Sequence, residues 1–183
     1  MKKLVLVGIF VILIFGVFAS LALSEKASID PKDFVLYKSP QGYFEVMFPK
    51  DVPLKEEFEK GVAYADMEAG YIFAAGIKLF RGEEDKRKVD LQFIEEQLYK
   101  VKKDMEDAEK GVVIQDPKKY KDGMLILVFF NKAPIPKLKE GEYAMFFFVK
   151  PKNEKSLAVL GYIPKEEFER FRPKLDFIIS SLK

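Results

Sequence analysis

The sequence contains no cysteine, no histidine and no tryptophan among its 183 residues. Without cysteine the chain has no disulfide, no thiolate zinc site, no cysteine nucleophile and no lipidated cysteine anchor. Without histidine it lacks the side chain that most often serves as a general base near neutral pH and as a ligand for transition metals. These absences favour a non-catalytic protein, with no catalytic residue, no cofactor and no metal site predicted.

An excess of charge of one sign is also missing. Lysine and arginine number 31 and aspartate and glutamate 29; with Lys2 and Lys3 set aside, the remaining chain carries 29 of each sign. A neutral surface with interspersed charges provides no field that steers a polyanion, so nucleic acid is disfavoured as a partner. The scarcity of asparagine and glutamine beside abundant lysine and glutamate is typical of thermophilic proteins.

The N-terminus carries the longest apolar run. Residues 4–23 follow Lys2 and Lys3 and contain no charged side chain. A basic start, an apolar stretch and the small residues Ser20 and Ala22 are typical of a secretory signal that is cut after Ala22, with a second cut available after Ser24. A run of this length also spans a hydrocarbon core about 30 Å thick. We therefore predict export to the periplasm or cell surface, with the leader either cleaved or kept as a membrane anchor, followed by a polar linker at residues 24–33.

Residues 34–183 are predicted to form a single α+β domain, an antiparallel sheet flanked by helices. Apolar runs and turn signals predict strands at 34–38, 43–48, 112–115 and 124–131, and hairpins at 62–68 with 71–80 and at 143–150 with 156–162. A stripe of apolar residues at spacings of three and four predicts a helix over 88–110, with Asp90 as its cap and Gly111 at its end. Pro164 begins a last helical segment, which Pro173 should break or kink.

Two segments resemble PsbP-like domains. Residues 37–49, Tyr-Lys-Ser-Pro-Gln-Gly-Tyr-Phe-Glu-Val-Met-Phe-Pro, resemble the family's opening strand, its Ser/Pro/Gly turn and its aromatic strand ending in proline. Residues 177–182 resemble its last helix. The chain departs from the family at Val52, near a position where the family often has tryptophan, and in lacking a lipidated cysteine. The resemblance implies a sheet flanked by helices, a place outside the cytoplasm and a non-enzymatic accessory role on a membrane complex, without matching ligands for the metal sites of photosynthetic members.

Several residue clusters are candidate sites. Glu83, Glu84 and Asp85 are interpreted as a solvated charge run, because they lack EF-hand spacing and basic residues follow them at once; a calcium or magnesium site is the alternative. The carboxylates Asp104, Glu106, Asp107 and Glu109 are interpreted as the exposed polar face of the predicted helix, with acid/base catalysis as the alternative. Ser180 and Ser181 have no histidine in the chain to act as their general base, so they are interpreted as polar residues at a helix end. The aromatic cluster of Tyr143 and residues 146–148 is interpreted as core, with an exposed binding patch as the alternative.

The loop of Pro134, Ile135 and Pro136 is the candidate contact loop, because prolines present apolar surface at little entropic cost. The leading hypothesis is a non-catalytic extracytoplasmic module that binds a membrane-associated partner protein. The alternative is a carrier or sensor of a small apolar ligand in a pocket between sheet and helix, which the small residues Ala74, Ala75 and Gly76 would suit. An enzyme that uses carboxylate or lysine chemistry is ranked last.

Overall fold

The computed structural model of the protein describes residues 29–78, 87–108 and 111–183. The predicted leader, with Lys2, Lys3, Ser20 and Ala22, lies outside these ranges, so export stays a prediction. Part of the predicted linker is described: Pro31–Asp33 forms a 3-10 turn, which Asp30 caps by accepting a hydrogen bond from the Lys32 amide at 2.9 Å. Neither of the described α-helices has the length and apolarity needed to cross a membrane.

Ten strands and two α-helices lie within the described ranges. The strands are β1 (Phe34–Lys38), β2 (Glu45–Pro49), β3 (Leu54–Phe58), β4 (Gly61–Asp66), β5 (Tyr71–Lys78), β6 (Val112–Ile114), β7 (Lys118–Tyr120), β8 (Gly123–Phe130), β9 (Tyr143–Lys152) and β10 (Lys155–Pro164). The helices are α1 (Leu91–Ala108) and α2 (Phe168–Ser181), the latter preceded by a 3-10 turn at Lys165–Glu167.

The strands form one large sheet and one small one. The large sheet runs in the order β3-β4-β5-β10-β9-β8-β6, with β7 also paired to β8, and β1 pairs with β2 separately. All of these pairings are antiparallel. The predicted α+β class, an antiparallel sheet flanked by helices, is therefore confirmed.

Both predicted hairpins are present, because their turn signals are local. Strands β4 and β5 pair with Val62 opposite Ala75, and β9 and β10 pair with Phe148 opposite Val159. The second hairpin closes in a two-residue turn, where Asn153 has a φ of 57°. Asparagine tolerates this left-handed conformation better than most residues, which is why the chain can reverse here.

Helix α1 lies within the predicted 88–110 segment. Asp90 caps it by accepting a hydrogen bond from the Phe93 amide at 2.9 Å, as predicted. Gly111, which was predicted to end the helix, has a φ of 84°, the left-handed conformation in which glycine is favoured after a helix. The buried stripe of α1 includes Phe93, Ile94 and Leu98.

Three features of the chain differ from the prediction. Pro173 does not break the last helix, since α2 continues through it. The helix is held on both sides of Pro173 by its buried apolar stripe. Because proline has no N–H group, the Glu169 carbonyl has no amide donor within the helix, but Glu169 is exposed and water can reach it. Strands β3 and β7 were not predicted, because charged residues dominate both and conceal any alternation.

Each face of the large sheet packs against its own helix. On the α2 side, buried aromatic rings meet across the layers, and Phe171 of α2 stacks on Phe73 of β5 with ring centroids 5.2 Å apart. The hairpin of β1 and β2 closes the same side, and the Met47 amide donates to Ser181 Oγ at 2.8 Å. On the other side, α1 packs on β6, β8 and β9. Strand β8 is thus buried on both faces, as its continuous apolar run predicted.

Candidate binding surface

The carboxylate clusters are solvated wherever the structure describes them. Asp104, Glu106 and Asp107 are exposed on the outer face of α1. Glu109 and the run of Glu83, Glu84 and Asp85 lie outside the described residues. Within the described ranges, no group of three or more acidic side chains is arranged to hold a metal ion.

Ser180 and Ser181 are bound into the end of α2. Ser180 Oγ donates to the Asp176 carbonyl at 2.6 Å and accepts a hydrogen bond from Lys121 Nζ. Ser181 Oγ donates to the Ile178 carbonyl at 2.7 Å. The approach of Lys121 was not foreseen, because it lies 59 residues away in sequence. Lys121 also donates to the Asp176 carbonyl at 2.7 Å, so it is a tether between the β7–β8 turn and α2.

The aromatic residues of β9 belong mainly to the core. Tyr143, Phe146 and Phe148 are at most 2% exposed, in agreement with the sandwiched-strand interpretation. Phe147 points to the α1 side and is only half-buried. In the candidate contact loop, Pro136 is exposed, whereas Ile135 packs partly against the α1-side core.

Two tyrosines tie α2 to the sheet through carboxylates. The Tyr71 hydroxyl donates to Glu167, whose carboxylate also accepts from Arg170 at 2.6 Å, and the Tyr120 hydroxyl donates to Asp176. Burial and these hydrogen bonds raise the pKa of Tyr71 and of Tyr120 to about 12. Both phenols therefore stay protonated near neutral pH, where they hold α2 in place and do not act as bases.

Half of the α1 side of the sheet is less well covered than the rest. Beneath α1, Met124, Ile126 and Val128 of β8 are at most 4% exposed. On β4, β5, β10 and the adjacent part of β9, several residues of the same face are only half-buried, although Ala65 and Ala158 are buried. The half-buried residues form the open face, which comprises Ala63, Ile72, Ala74, Phe147, Leu160 and Tyr162.

Burial alternates along β5 and over residues 159–163 of β10, which shows that partial exposure there belongs to this face. Phe73 and Val159 are 0% exposed and Ala75 is 3% exposed, yet they alternate with the half-buried Ala74 and Leu160. Because consecutive side chains of a strand point to opposite faces, the fully buried set faces α2. The open face is therefore the side of these strands that α1 leaves accessible in the part of the chain that the structure describes.

Strand register makes the open face continuous. Ala63 lies opposite Ala74, Ala74 opposite Leu160, and Leu160 opposite Phe147. At a strand spacing of about 4.8 Å this row extends for roughly 14 Å. The small alanines form a flat apolar floor between the larger side chains. Such a surface suits an apolar partner better than a charged one.

Tyr162 of the open face and Phe58 at the edge of the sheet shape its rim. Burial raises the pKa of Tyr162, and within the described residues its hydroxyl forms no hydrogen bond. At the sheet edge Phe58 is 55% exposed, and its ring covers Gly61, where a Cβ would lie 2.3 Å from Phe58 Cε2. Gly76 likewise allows close packing, since its Cβ would lie 2.5 Å from the Lys60 carbonyl oxygen.

Cavities of very different size lie elsewhere on the domain. Two of about 240 and 220 Å³ adjoin the Tyr71 ring and are smaller than the usual small-molecule site. A larger one of about 530 Å³ lies between the turn that precedes β2 and the β9–β10 turn. None of these three is lined by α1.

Comparison with known proteins identifies the fold but no family. No family model matches the chain, and no curated protein matches its sequence. The solution structure of the cyanobacterial PsbP protein CyanoP from Synechocystis sp. PCC 6803 superimposes with a TM-score of 0.53 and 7% identity, covering 88% of this chain and 98% of that one. The fold is thus PsbP-like, as the resemblance implied.

A second solved structure is more remote. The Saccharomyces cerevisiae Ran-binding protein Mog1p is similar with a TM-score of 0.47 and 9% identity, covering 85% of this chain and 96% of that one. This similarity is too low to support an argument about the present chain.

Proposed function

We propose that the protein is a non-catalytic module that acts outside the cytoplasm and binds a membrane-associated partner protein through the open face. The observation that carries this proposal is the half-buried, continuous apolar row on β4, β5, β10 and β9. Exposed apolar patches on folded proteins are typical of interaction sites. A protein partner fits better than a polyanion because the floor of the row is made of alanines and the chain is nearly neutral.

The chemistry of the described residues supports a binding role over an enzymatic one. The sequence has no cysteine or histidine. The two groups with pKa values near 12, Tyr71 and Tyr120, are engaged with carboxylates that fasten α2. A shifted pKa indicates a catalytic group only when that group faces a cleft that holds a second reactive group. The hydroxyls of Tyr71 and Tyr120 are instead bound to Glu167 and Asp176, so we interpret both shifts as structural.

The place outside the cytoplasm rests on the leader. Lys2 and Lys3 before an uncharged run, followed by Ser20 and Ala22, favour export with the lysines left inside. A retained leader would also hold the domain at the membrane, where it meets membrane-associated proteins. The Pro134-Ile135-Pro136 loop remains a proposed secondary contact, because Pro136 is exposed beside the α1-side core.

The alternative function, a carrier of a small apolar ligand between sheet and helix, has weaker support. It requires an enclosed apolar cavity of some hundreds of Å³. The cavity of about 530 Å³ has that volume, but it lies at the turns of the domain and α1 does not line it.

Site-specific photocrosslinking tests the proposal in the source organism. The full chain carries a photoreactive phenylalanine at Leu160, on the open face, and irradiated membranes are analysed by mass spectrometry. Val113 is the matched control position, because it is 66% exposed and lies on β6 at the far edge of the sheet. We expect a membrane protein that is captured from position 160, absent from position 113 and displaced by excess unlabelled protein.

Two outcomes count against the proposal. Capture of the same proteins from both positions would mean that contact is unspecific. Absence of any adduct from position 160, with adducts from a third probe placed at the exposed Pro136, would move the interface away from the open face.

A further inference from the structure

A second candidate site, separate from the open face, lies between the turn that precedes β2 and the β9–β10 turn. The cavity of about 530 Å³, here named the turn pocket, is lined by Tyr43, Ile77, Leu157, Lys152 and Lys155. Its volume falls in the range of about 300–1,000 Å³ that is usual for small-molecule sites. Ile77 and Leu157 point to the α2 side of the sheet, so the turn pocket does not share its floor with the open face.

The walls of the turn pocket are fixed by hydrogen bonds. Ser39 Oγ accepts from the Tyr43 amide at 2.7 Å and from the Phe44 amide at 3.1 Å. Lys152 Nζ donates to the Tyr43 carbonyl at 2.9 Å and so joins one turn to the other. A pocket that is formed in advance loses little conformational entropy when it binds a ligand.

The lining combines an apolar floor with two ammonium groups. Leu157 is 2% exposed and Ile77 is half-buried. Lys155 Nζ lies 4.8 Å from the centroid of the Tyr43 ring, within the range of a cation–π contact. Among the described residues, neither Lys152 nor Lys155 forms a salt bridge.

Each ammonium retains hydrogen-bonding capacity. A lysine has three N–H donors, and Lys152 uses one of them on the Tyr43 carbonyl. The acidic side chain of the lining, Glu154, lies within the turn between the two lysines. An anionic group placed between the two ammonium groups would accept hydrogen bonds from N–H donors that Lys152 and Lys155 do not use within the described residues, beside the apolar floor of Ile77 and Leu157.

We propose that the turn pocket binds a small soluble amphiphile with one carboxylate, of the medium-chain fatty acid class. The carboxylate lies between Lys152 and Lys155, and the alkyl chain lies on Ile77 and Leu157 beside the Tyr43 ring. This binding activity goes beyond the proposed protein-binding function and does not depend on it.

The position of the pocket favours a dissolved ligand over a lipid surface. Ile29, the described residue nearest the leader, lines a cavity together with Tyr71, at the end of the sheet where β5 begins and β10 ends. The turn pocket lies at the opposite end of β10, a strand of ten residues that extends for about 33 Å. The turn pocket and the described residue nearest the leader therefore lie at opposite ends of the domain.

Calorimetric titration with octanoate tests the proposal. The full chain is used in the form that the cell produces, free in buffer if the leader is cleaved or in phosphatidylcholine nanodiscs if it is retained, with empty nanodiscs as the blank. Acetate presents the head group without the chain, and 1-octanol the chain without the charge. We expect octanoate to bind and both of these to bind at least about tenfold more weakly, since charge-assisted bonds and the apolar floor act together.

Paired lysine variants identify the site. The double variant Lys152→Gln with Lys155→Gln should weaken octanoate binding by about tenfold or more. Its matched control is Lys118→Gln with Lys119→Gln, which alters two exposed lysines of β7 and should leave binding unchanged. Unchanged urea midpoints for both variants verify the fold.

Three results would overturn the proposal. They are an absence of octanoate binding, binding that survives the change at Lys152 and Lys155, and binding of the protein to phosphatidylglycerol vesicles in place of monomeric octanoate. All three leave the crosslinking result at Leu160 unaffected, so failure here is distinguishable from failure of the proposed function.

Discussion

Adjacent alanines on β5 provide a matched test of the open face. Ala74 and Ala75 are the same residue on the same strand, but Ala74 is half-buried on the open face and Ala75 is 3% exposed on the α2 side. Ala75 lies between Val62 of β4 and Val159 of β10, both 0% exposed. The substitution of aspartate at each position therefore places the same group in two very different surroundings.

The expected cost differs severalfold between the two positions. Ala75→Asp buries a carboxylate that has no partner, which costs about 3–5 kcal/mol or more and approaches the stability of an ordinary domain. Ala74→Asp keeps its carboxylate hydrated and loses about 1 kcal/mol, mainly through the low strand propensity of aspartate. In the folded Ala75→Asp variant, burial raises the pKa of the introduced carboxyl group, so the destabilisation should grow as the pH rises above about 4.

Urea unfolding of the exported protein, followed by circular dichroism, measures both costs. We expect Ala74→Asp to unfold near the wild-type midpoint with an unchanged slope, and Ala75→Asp to be largely unfolded or far less stable at pH 7. Equal losses at the two positions would refute the reasoning, because they would mean that Ala74 is as well covered in the folded protein as Ala75.

Three further measurements probe the packing at Gly161, the Tyr71 contact and the leader. Gly161→Ala should lower the free energy of unfolding by about 1–3 kcal/mol, because the new Cβ would lie 2.1 Å from Phe146 Cε1. A double-mutant cycle with Phe146→Leu should show a coupling of about 1 kcal/mol, and strict additivity would contradict the clash. Burial and the hydrogen bond to Glu167 raise the pKa of Tyr71 to about 12, so the stability that Tyr71 contributes is complete below pH 10 and is lost as the pH rises through 12. The fall in urea midpoint between pH 10 and 12 should therefore be smaller in Tyr71→Phe than in the wild type. An equal fall in both would exclude Tyr71 as the source of this pH dependence. The intact mass of the exported protein should match cleavage after Ala22 or Ser24, or the full chain held in the membrane, whereas a full-length chain that stays in the cytoplasm would contradict export.

The elements that sequence analysis predicted are those with local signals. The α1 stripe of Leu91, Ile94 and Leu98 follows helical spacing, and Asp90 supplies its cap within the same few residues. The β9–β10 hairpin is encoded by two apolar runs around Asn153, whose positive φ closes the turn. Such signals need no knowledge of distant parts of the chain.

The open face could not be predicted, because it depends on which strands α1 covers. On β5 the run from Ile72 to Ala75 is apolar at every position, which is typical of a strand buried on both faces. Partial exposure of alternate residues arises only because α1 packs on β6, β8 and β9 and leaves the neighbouring strands accessible. That placement is a tertiary property with no local sequence signature.

The polar contacts of α2 were beyond sequence reasoning for a related reason. Tyr71 and Glu167 lie 96 residues apart, and Tyr120 and Asp176 lie 56 residues apart. Without an alignment, no pattern connects such pairs. Of the two outcomes predicted at Pro173, a break or a kink, the break is wrong, because the intrinsic cost of proline in a helix was weighed without the tertiary burial of the stripe around it.

The most direct test of the central claim is a binding comparison with the partner captured by crosslinking. Retention of that partner is measured for the wild type, for Ala74→Arg on the open face and for Val113→Arg at the far edge, each shown by its urea midpoint to be folded. We expect Ala74→Arg to weaken the affinity for the partner by about tenfold or more, because it introduces a desolvated charge at the contact, and Val113→Arg to retain the partner. Equal retention by the two variants would contradict the claim that the open face is the binding surface.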